Sequence, residues 1–315
     1  MSPAAAARGL AGRDLLDLES LTPAEIELLL DTAASFGEVL RRDVKKVPTL
    51  RGKSVVTLFY ENSTRTRTSF EAAGKYMSAD VINISGSTSS ASKGESLRDT
   101  FLTLQALTAD LVVMRTPHSG ACHQAAEWVD VPVVNAGDGM HEHPTQGLLD
   151  LLTVREAKGH LEDLTVAIVG DIAHSRVARS NIWGLTKMGA TVRLVGPATL
   201  LPSDAARLPV DVFTDLRAGL EDADVVNVLR LQLERQSRAL FPTAREYSRL
   251  FGVTLEALRA AKPDVLVLHP GPMNRGLEIS ADVADAPRAL IERQVTNGVA
   301  VRMAVLYLLL GAEGK

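Results

Sequence analysis

The sequence predicts an α/β protein with two doubly wound parallel-sheet domains and an active-site cleft between them. Three observations lead there. A chain of 315 residues is too long for one ordinary core and suits two domains of about 150 residues each. Short runs rich in Val, Leu and Ile alternate with helix-compatible segments, the pattern of parallel strands joined by crossover helices. The alternation also falls into two series, which sets the expected domains at 1–150 and 151–290, with a terminal helix over 291–315 packing back on the first.

Each element has a local reason. Thr22 is a natural N-cap, Pro23 fits the first helical position, and the apolar residues that follow recur at helical spacing to Arg42. Lys53 to Tyr60 is β-branched and aromatic and reads as a buried strand, followed by STRTR and the helix-like SFEAAGKYM. DVINI at 80–84 and DLVVMR at 110–115 are strands around the helix ESLRDTFLTLQAL, and VPVVNAG at 131–137 is a fourth. A helix over Gln146 to Gly159 leads out of this series. The second series places strands at 164–171, 190–196, 210–215, 223–229 and 264–270.

Composition narrows the function classes. With 46% hydrophobic and 23% charged residues the chain has the make-up of a soluble globular protein, and no apolar run approaches the roughly 18 residues of a membrane span. The segment MSPAAAARGLAGRD lacks the apolar stretch of a secretory signal, so a cytoplasmic location is expected. A single cysteine, Cys122, gives neither an intrachain disulfide nor a cysteine-based zinc site. The net charge of −4 and 4% aromatic content argue against a nucleic-acid surface, so anions must be bound by local clusters.

Those clusters lie just beyond the strands, where ligands of open α/β sheets bind. Ser63, Thr64, Arg65, Thr66 and Arg67 sit where a strand gives way to a helix. Unpaired N–H groups there, hydroxyls and guanidinium groups together suit a phosphate, although capping alone would also explain a lone serine or threonine. No Walker lysine accompanies them, so a magnesium nucleotide is not the expected ligand. Arg115 ends the third strand. His141, Glu142 and His143 raise the question of a metal, but a third ligand is not evident and Pro144 fixes the chain; a histidine donating to a polarised oxygen suits the segment better. In the second half Arg176 and Arg179 follow one strand, Arg230 and Gln232 another, and Pro270, Gly271 and Arg275 a third. Gly170 stands where a dinucleotide-binding turn would begin, without the second and third glycines. Arginines at strand ends in both halves point to two anionic substrates, one phosphate and one carboxylate.

In combination STRTR, HPTQ and HPGPMNRGLEI resemble the aspartate and ornithine carbamoyltransferases over essentially the whole chain. LRLQLERQ and HPGPMNR resemble the aspartate branch, and arginines suit a dicarboxylate better than a cationic side chain. The resemblance implies a carbamoyl phosphate-binding domain followed by an aspartate-binding domain. Carbamoyl would pass from carbamoyl phosphate to L-aspartate in pyrimidine (UMP) biosynthesis, with no cofactor, no metal and no covalent enzyme intermediate. It leaves open another amine acceptor such as ornithine.

By the same resemblance Ser63, Thr64, Arg65, Thr66 and Arg115 hold the phosphate, with Ser89 and Lys93 supplied by the neighbouring chain of a homotrimer. Arg65, Thr66, Lys93, Arg115 and His143 are the implied catalytic residues. Gln146 and the carbonyls of Pro270 and Gly271 orient the reacting groups, and Lys93, Arg176, Arg230 and Gln232 take aspartate. A regulatory chain or a dihydroorotase as further partner is left open. Arg67 is expected to be structural, for example by pairing with Glu71 on the next helical turn.

Overall fold

The computed structural model of the protein describes residues 9–86, 94–232 and 243–311. The chain forms two compact units, one of residues 1–152 with 295–315, the other of residues 153–294. Among the described residues no helix is long and apolar enough to cross a membrane.

The first unit contains α1 (Pro23–Leu40), β1 (Ser54–Phe59), α2 (Thr64–Tyr76), β2 (Asp80–Ser85), α3 (Leu97–Ala106), β3 (Leu111–Thr116), α4 (Ala121–Ala126) and β4 (Val133–Asp138). Its sheet has the order β2-β1-β3-β4, all parallel. α5 (Pro144–Lys158) and α10 (Ile291–Leu310) contain the boundaries between the units. The second unit contains β5 (Thr165–Val169), α6 (Arg176–Lys187), β6 (Thr191–Val195), β7 (Asp211–Phe213), α7 (Leu216–Leu220), β8 (Val225–Val228), α8 (Ala244–Phe251), β9 (Leu266–Leu268) and α9 (Ala281–Ala284). Its five parallel strands run β7-β6-β5-β8-β9.

Central strands are largely apolar because both of their faces are covered: β8 is buried at every residue, and β1 and β3 at all but one. The edge strand β2 exposes half of Ile82, and the edge strand β7 is only three residues long, shorter than the segment 210–215 suggests. α1 opens with a capping box, in which Thr22 Oγ1 accepts from Glu25 N and Glu25 Oε2 accepts from Thr22 N. Cys122 is buried, with its thiol 3.9 Å from the carbonyl of Met114.

α10 completes the first unit. The Tyr307 ring meets Phe36 of α1 edge-on at 5.7 Å, Leu309 O accepts from Gly12 N, and the Arg302 guanidinium lies 5.1 Å from the centre of the Phe70 ring.

Candidate active site

Strand order fixes where ligands can gather in each unit. The first sheet reverses direction of winding between β1 and β3, the second between β5 and β8, and in such sheets ligands sit beyond the carboxyl ends at the reversal. The arginine-bearing segments follow these four strands.

At the first reversal β1 hands over to α2 through Ser63. Its extended backbone ends the strand and its Oγ caps the helix, accepting from Thr66 N at 3.4 Å. The helix therefore begins at Thr64, five residues earlier than its apolar pattern indicates. Its first turn holds no acidic residue, which leaves the positive end of the helix dipole uncompensated. Thr66 is buried, Ser63 half-buried, and Thr64 and Arg65 exposed. Register places Arg115 of β3 directly beside Phe59, the last residue of β1. Arg115 Nη2 donates to Glu61 Oε1 at 2.6 Å and Nη1 to Ala136 O at 3.2 Å, so its guanidinium is anchored at the end of β1.

Arg67 does not take the partner expected of it. Glu71 pairs instead with Lys75 at 2.5 Å, and Arg67 contributes only through its charge. Both pairs have i,i+4 spacing, but glutamate on the N-terminal side of a cation is the better orientation in a helix.

His143 and Gln146 are placed by a buried network at the end of β4. Asn135, Asp138 and Glu142 are fully buried. Asn135 Nδ2 donates to Asp138 Oδ1 and to Glu142 O, and its Oδ1 accepts from Gly137 N. Asp138 also accepts from Gly120 N and Glu142 N, which closes the turn from strand to helix. His143 follows directly; its carbonyl accepts from Gln146 N and Gly147 N, so it caps α5, and it is 3% exposed.

His141 and Glu142 face other groups. Glu142 Oε2 accepts from Leu18 N, while His141 Nδ1 lies 3.2 Å from both oxygens of Asp138. Burial opposes ionisation of Asp138, but the hydrogen bond and charge of His141 outweigh it and hold the carboxyl below its usual range. The same hydrogen bond raises the His141 pKa. His123, which the sequence did not single out, packs its ring 5.2 Å from that of His141 and bonds Asp17. His123, Asp138 and His141 offer metal-ligand atoms within 4.8 Å of one another, yet both oxygens of Asp138 already accept from the loop N–H groups.

At the second reversal Ser175 caps α6, accepting from Ala178 N, and Arg176 occupies the first helical position at 3% exposure. This first turn also lacks an acid. Asp171, fully buried, holds the two strand ends together: Oδ1 bonds His174 Nδ1 at 2.6 Å and Oδ2 accepts from Gln232 N at 3.3 Å. Gly170 serves this close approach, since a Cβ there would lie 3.0 Å from Leu229 O at a φ of +133°. Arg230 and Gln232 are half-buried beside it.

Pro270 and Gly271 follow β9 in a braced turn. His269 Nδ1 accepts from Gly271 N, so its proton is on Nε2, which donates to Glu278 Oε1 at 3.3 Å. Arg275 is tied to the exposed Asp285 by two hydrogen bonds. Ser89 and Lys93 lie outside the described residues.

Both units are matched in known proteins. Residues 13–156 match the family model of the aspartate/ornithine carbamoyltransferase carbamoyl-P binding domain, and residues 162–309 that of the Asp/Orn binding domain. The chain belongs to the aspartate/ornithine carbamoyltransferase family. It is 65% identical over 302 residues to the aspartate carbamoyltransferase catalytic subunit of Heliobacterium modesticaldum, covering 96% of this chain and 97% of that one. Aspartate transcarbamoylase from Trypanosoma cruzi, solved with N-(phosphonacetyl)-L-aspartic acid, superposes with a TM-score of 0.88 at 31% identity over 96% of this chain and 97% of that one. Ornithine carbamoyltransferase from Pyrococcus furiosus gives 0.87 at 29% identity, over 97% of this chain and 99% of that one. The family fold is thus common to both acceptors, and the acceptor must be argued from side chains.

Proposed function

We propose that the protein transfers the carbamoyl group of carbamoyl phosphate to the α-amino group of L-aspartate, giving N-carbamoyl-L-aspartate and phosphate. The observation that carries the acceptor is Arg176: a buried guanidinium at the first position of a helix whose first turn holds no acid. That arrangement favours a carboxylate and repels the ammonium group of ornithine.

Ser63, Thr64, Arg65, Thr66 and Arg115 grip the phosphate through hydroxyls, helix N–H groups and guanidinium forks. The amine nitrogen forms a bond to the carbamoyl carbon, and the bond from that carbon to the phosphate oxygen breaks. Negative charge grows on the carbamoyl oxygen as the amine attacks, and Thr66, Arg115 and His143 supply the donors for it. The amine proton leaves with the phosphate, which as a dianion can accept it. Gln146 and the carbonyls of Pro270 and Gly271 orient N–H groups, while Arg176, Arg230 and Gln232 take the two carboxylates. Holding both reactants in place is worth up to about 7–11 kcal/mol of the barrier.

In this reading the enzyme is a cytoplasmic homotrimer of pyrimidine biosynthesis in which Ser89 and Lys93 enter a neighbour's site. The test is direct: purified chain with carbamoyl phosphate and either aspartate or ornithine, with the products identified by mass. Carbamoylaspartate and phosphate in equal amounts are expected. Citrulline in place of carbamoylaspartate, or no product, overturns the assignment.

A further inference from the structure

Beneath the phosphate-gripping residues of the first unit lies a second layer of charge. Asp150 follows Gln146 by one turn of α5, is 1% exposed, and its Oδ1 accepts from Gln146 Nε2 at 3.0 Å. Arg302 of α10 is 3% exposed and lies against the Phe70 ring of α2, the helix whose N-terminus offers the anion site. Gly298 keeps the space open, because a Cβ there would lie 2.5 Å from Arg302 Nη1. Burial pushes the Arg302 pKa down to about 9 and the charge of Arg115 adds to this, while the Asp150 carboxylate works against both. The charge of Asp150 thus acts on Arg302 within a buried site.

The consequence for Gln146 follows from hydrogen-bond inventory. Gln146 Nε2 donates to Asp150 Oδ1, so the end of the Gln146 amide facing Asp150 is its NH2. A planar amide with its NH2 so engaged presents its carbonyl oxygen on the other side, as an acceptor. We propose that Asp150 is a positioning residue that fixes Gln146 as an acceptor and makes the site select an acyl phosphate bearing an N–H group. Carbamoyl phosphate carries such a group. Acetyl phosphate, nearly the same shape with a methyl in its place, does not, and leaves the Gln146 oxygen without a partner. The inference rests on the carbamoyl transfer proposed above.

Calorimetric binding of carbamoyl phosphate, acetyl phosphate and inorganic phosphate to the whole protein tests it without turnover. The wild type is expected to prefer carbamoyl over acetyl phosphate by at least tenfold. Asp150→Asn, whose amide lets Gln146 turn either way, is expected to reduce that preference about tenfold while inorganic phosphate binds within twofold of wild type. Gln146→Ala with Asp150→Asn should be no worse than Gln146→Ala alone. Arg302→Met, which removes the countercharge, should lower the same preference, and Arg302→Lys should restore most of it, so a poorly folding Asp150 variant does not decide the matter. An unchanged preference in folded Asp150→Asn or Arg302→Met overturns the proposal, as does a wild type without preference. A wild type that binds with the expected preference but forms no carbamoylaspartate would instead overturn the functional reading.

Discussion

Arg115 Nη2 is bonded to Glu61 Oε1 at 2.6 Å, although Glu61 stands in the loop before α2 and Arg115 at the end of β3. The carboxylate holds the guanidinium in place and also neutralises part of the charge that phosphate would use. Glu61→Gln should therefore separate two effects. Inorganic phosphate is expected to bind several-fold more tightly, because a hydrogen bond between charged groups is worth about 1.5–3 kcal/mol and its competitor is gone. Turnover is expected to fall about tenfold through a less well-held oxyanion donor. Phosphate inhibition and kcat measured on the same preparation check both.

Replacing the two ends of the proposed reaction should give different kinetic signatures. Arg65 is exposed and Arg230 half-buried, so neither truncation should lower Tm appreciably. Arg65→Ala should lower kcat by about 10²–10³, the usual cost of removing one group that stabilises transition-state charge, here on the departing phosphate. Arg230→Ala should raise the aspartate KM at least tenfold, at a cost of about 1.4 kcal/mol or more, with the carbamoyl phosphate KM unchanged. Equal effects on both substrates would overturn the division of roles.

Mixing inactive chains probes the proposed sharing of Ser89 and Lys93. Lys93→Ala and Arg65→Ala homo-oligomers should each be nearly inactive. After dissociation and reassembly together, hybrids should regain activity, because one combination of neighbours contains an undamaged site. Recovery absent from a mixture shown to contain hybrids would remove Lys93 from the shared site.

The Asp138–His141 pair makes stability depend on pH in a definite direction. The folded His141 pKa is raised above 6.5, so its contribution is complete below 6.5 and is lost as pH rises through the raised value. The Asp138 pKa is lowered from 3.8, so its contribution is present above 3.8 and is lost as pH falls through the lowered value. His141→Gln should flatten the decline of Tm just above pH 6.5 and also shrink the acid limb, because His141 is the main cause of the lowered Asp138 pKa. Denaturation scans from acid to mildly alkaline pH check this.

Local chemistry made much of this architecture readable. Thr22, Pro23 and Glu25 announce α1, and the Val-rich runs announce strands covered on both faces. The turn from strand to helix at Ser63 was legible because a serine and threonines, natural caps, stand directly behind a strand. Residues that act through distant partners were not. Glu61 meets Arg115 across 54 positions, Asn135 donates to Leu16 O across 119, and Arg302 reaches Phe70 only because α10 belongs to the first unit. Arg275 follows β9 as other arginines follow their strands, yet it pairs with Asp285, ten residues on. Periodicity and spacing carry no record of such pairings.

The return of α10 to the first unit has a consequence for synthesis on the ribosome. Residues 153–294 are continuous and emerge complete, whereas the first unit waits for residues 295–311. Until then Phe36 lacks Tyr307 and Phe70 lacks its cation. In released chains truncated after residue 294 the inserted unit should therefore be protease-resistant, with its host remaining digestible. The host closes last, so chains that lose their final turns should be cleared by proteolysis of the first unit.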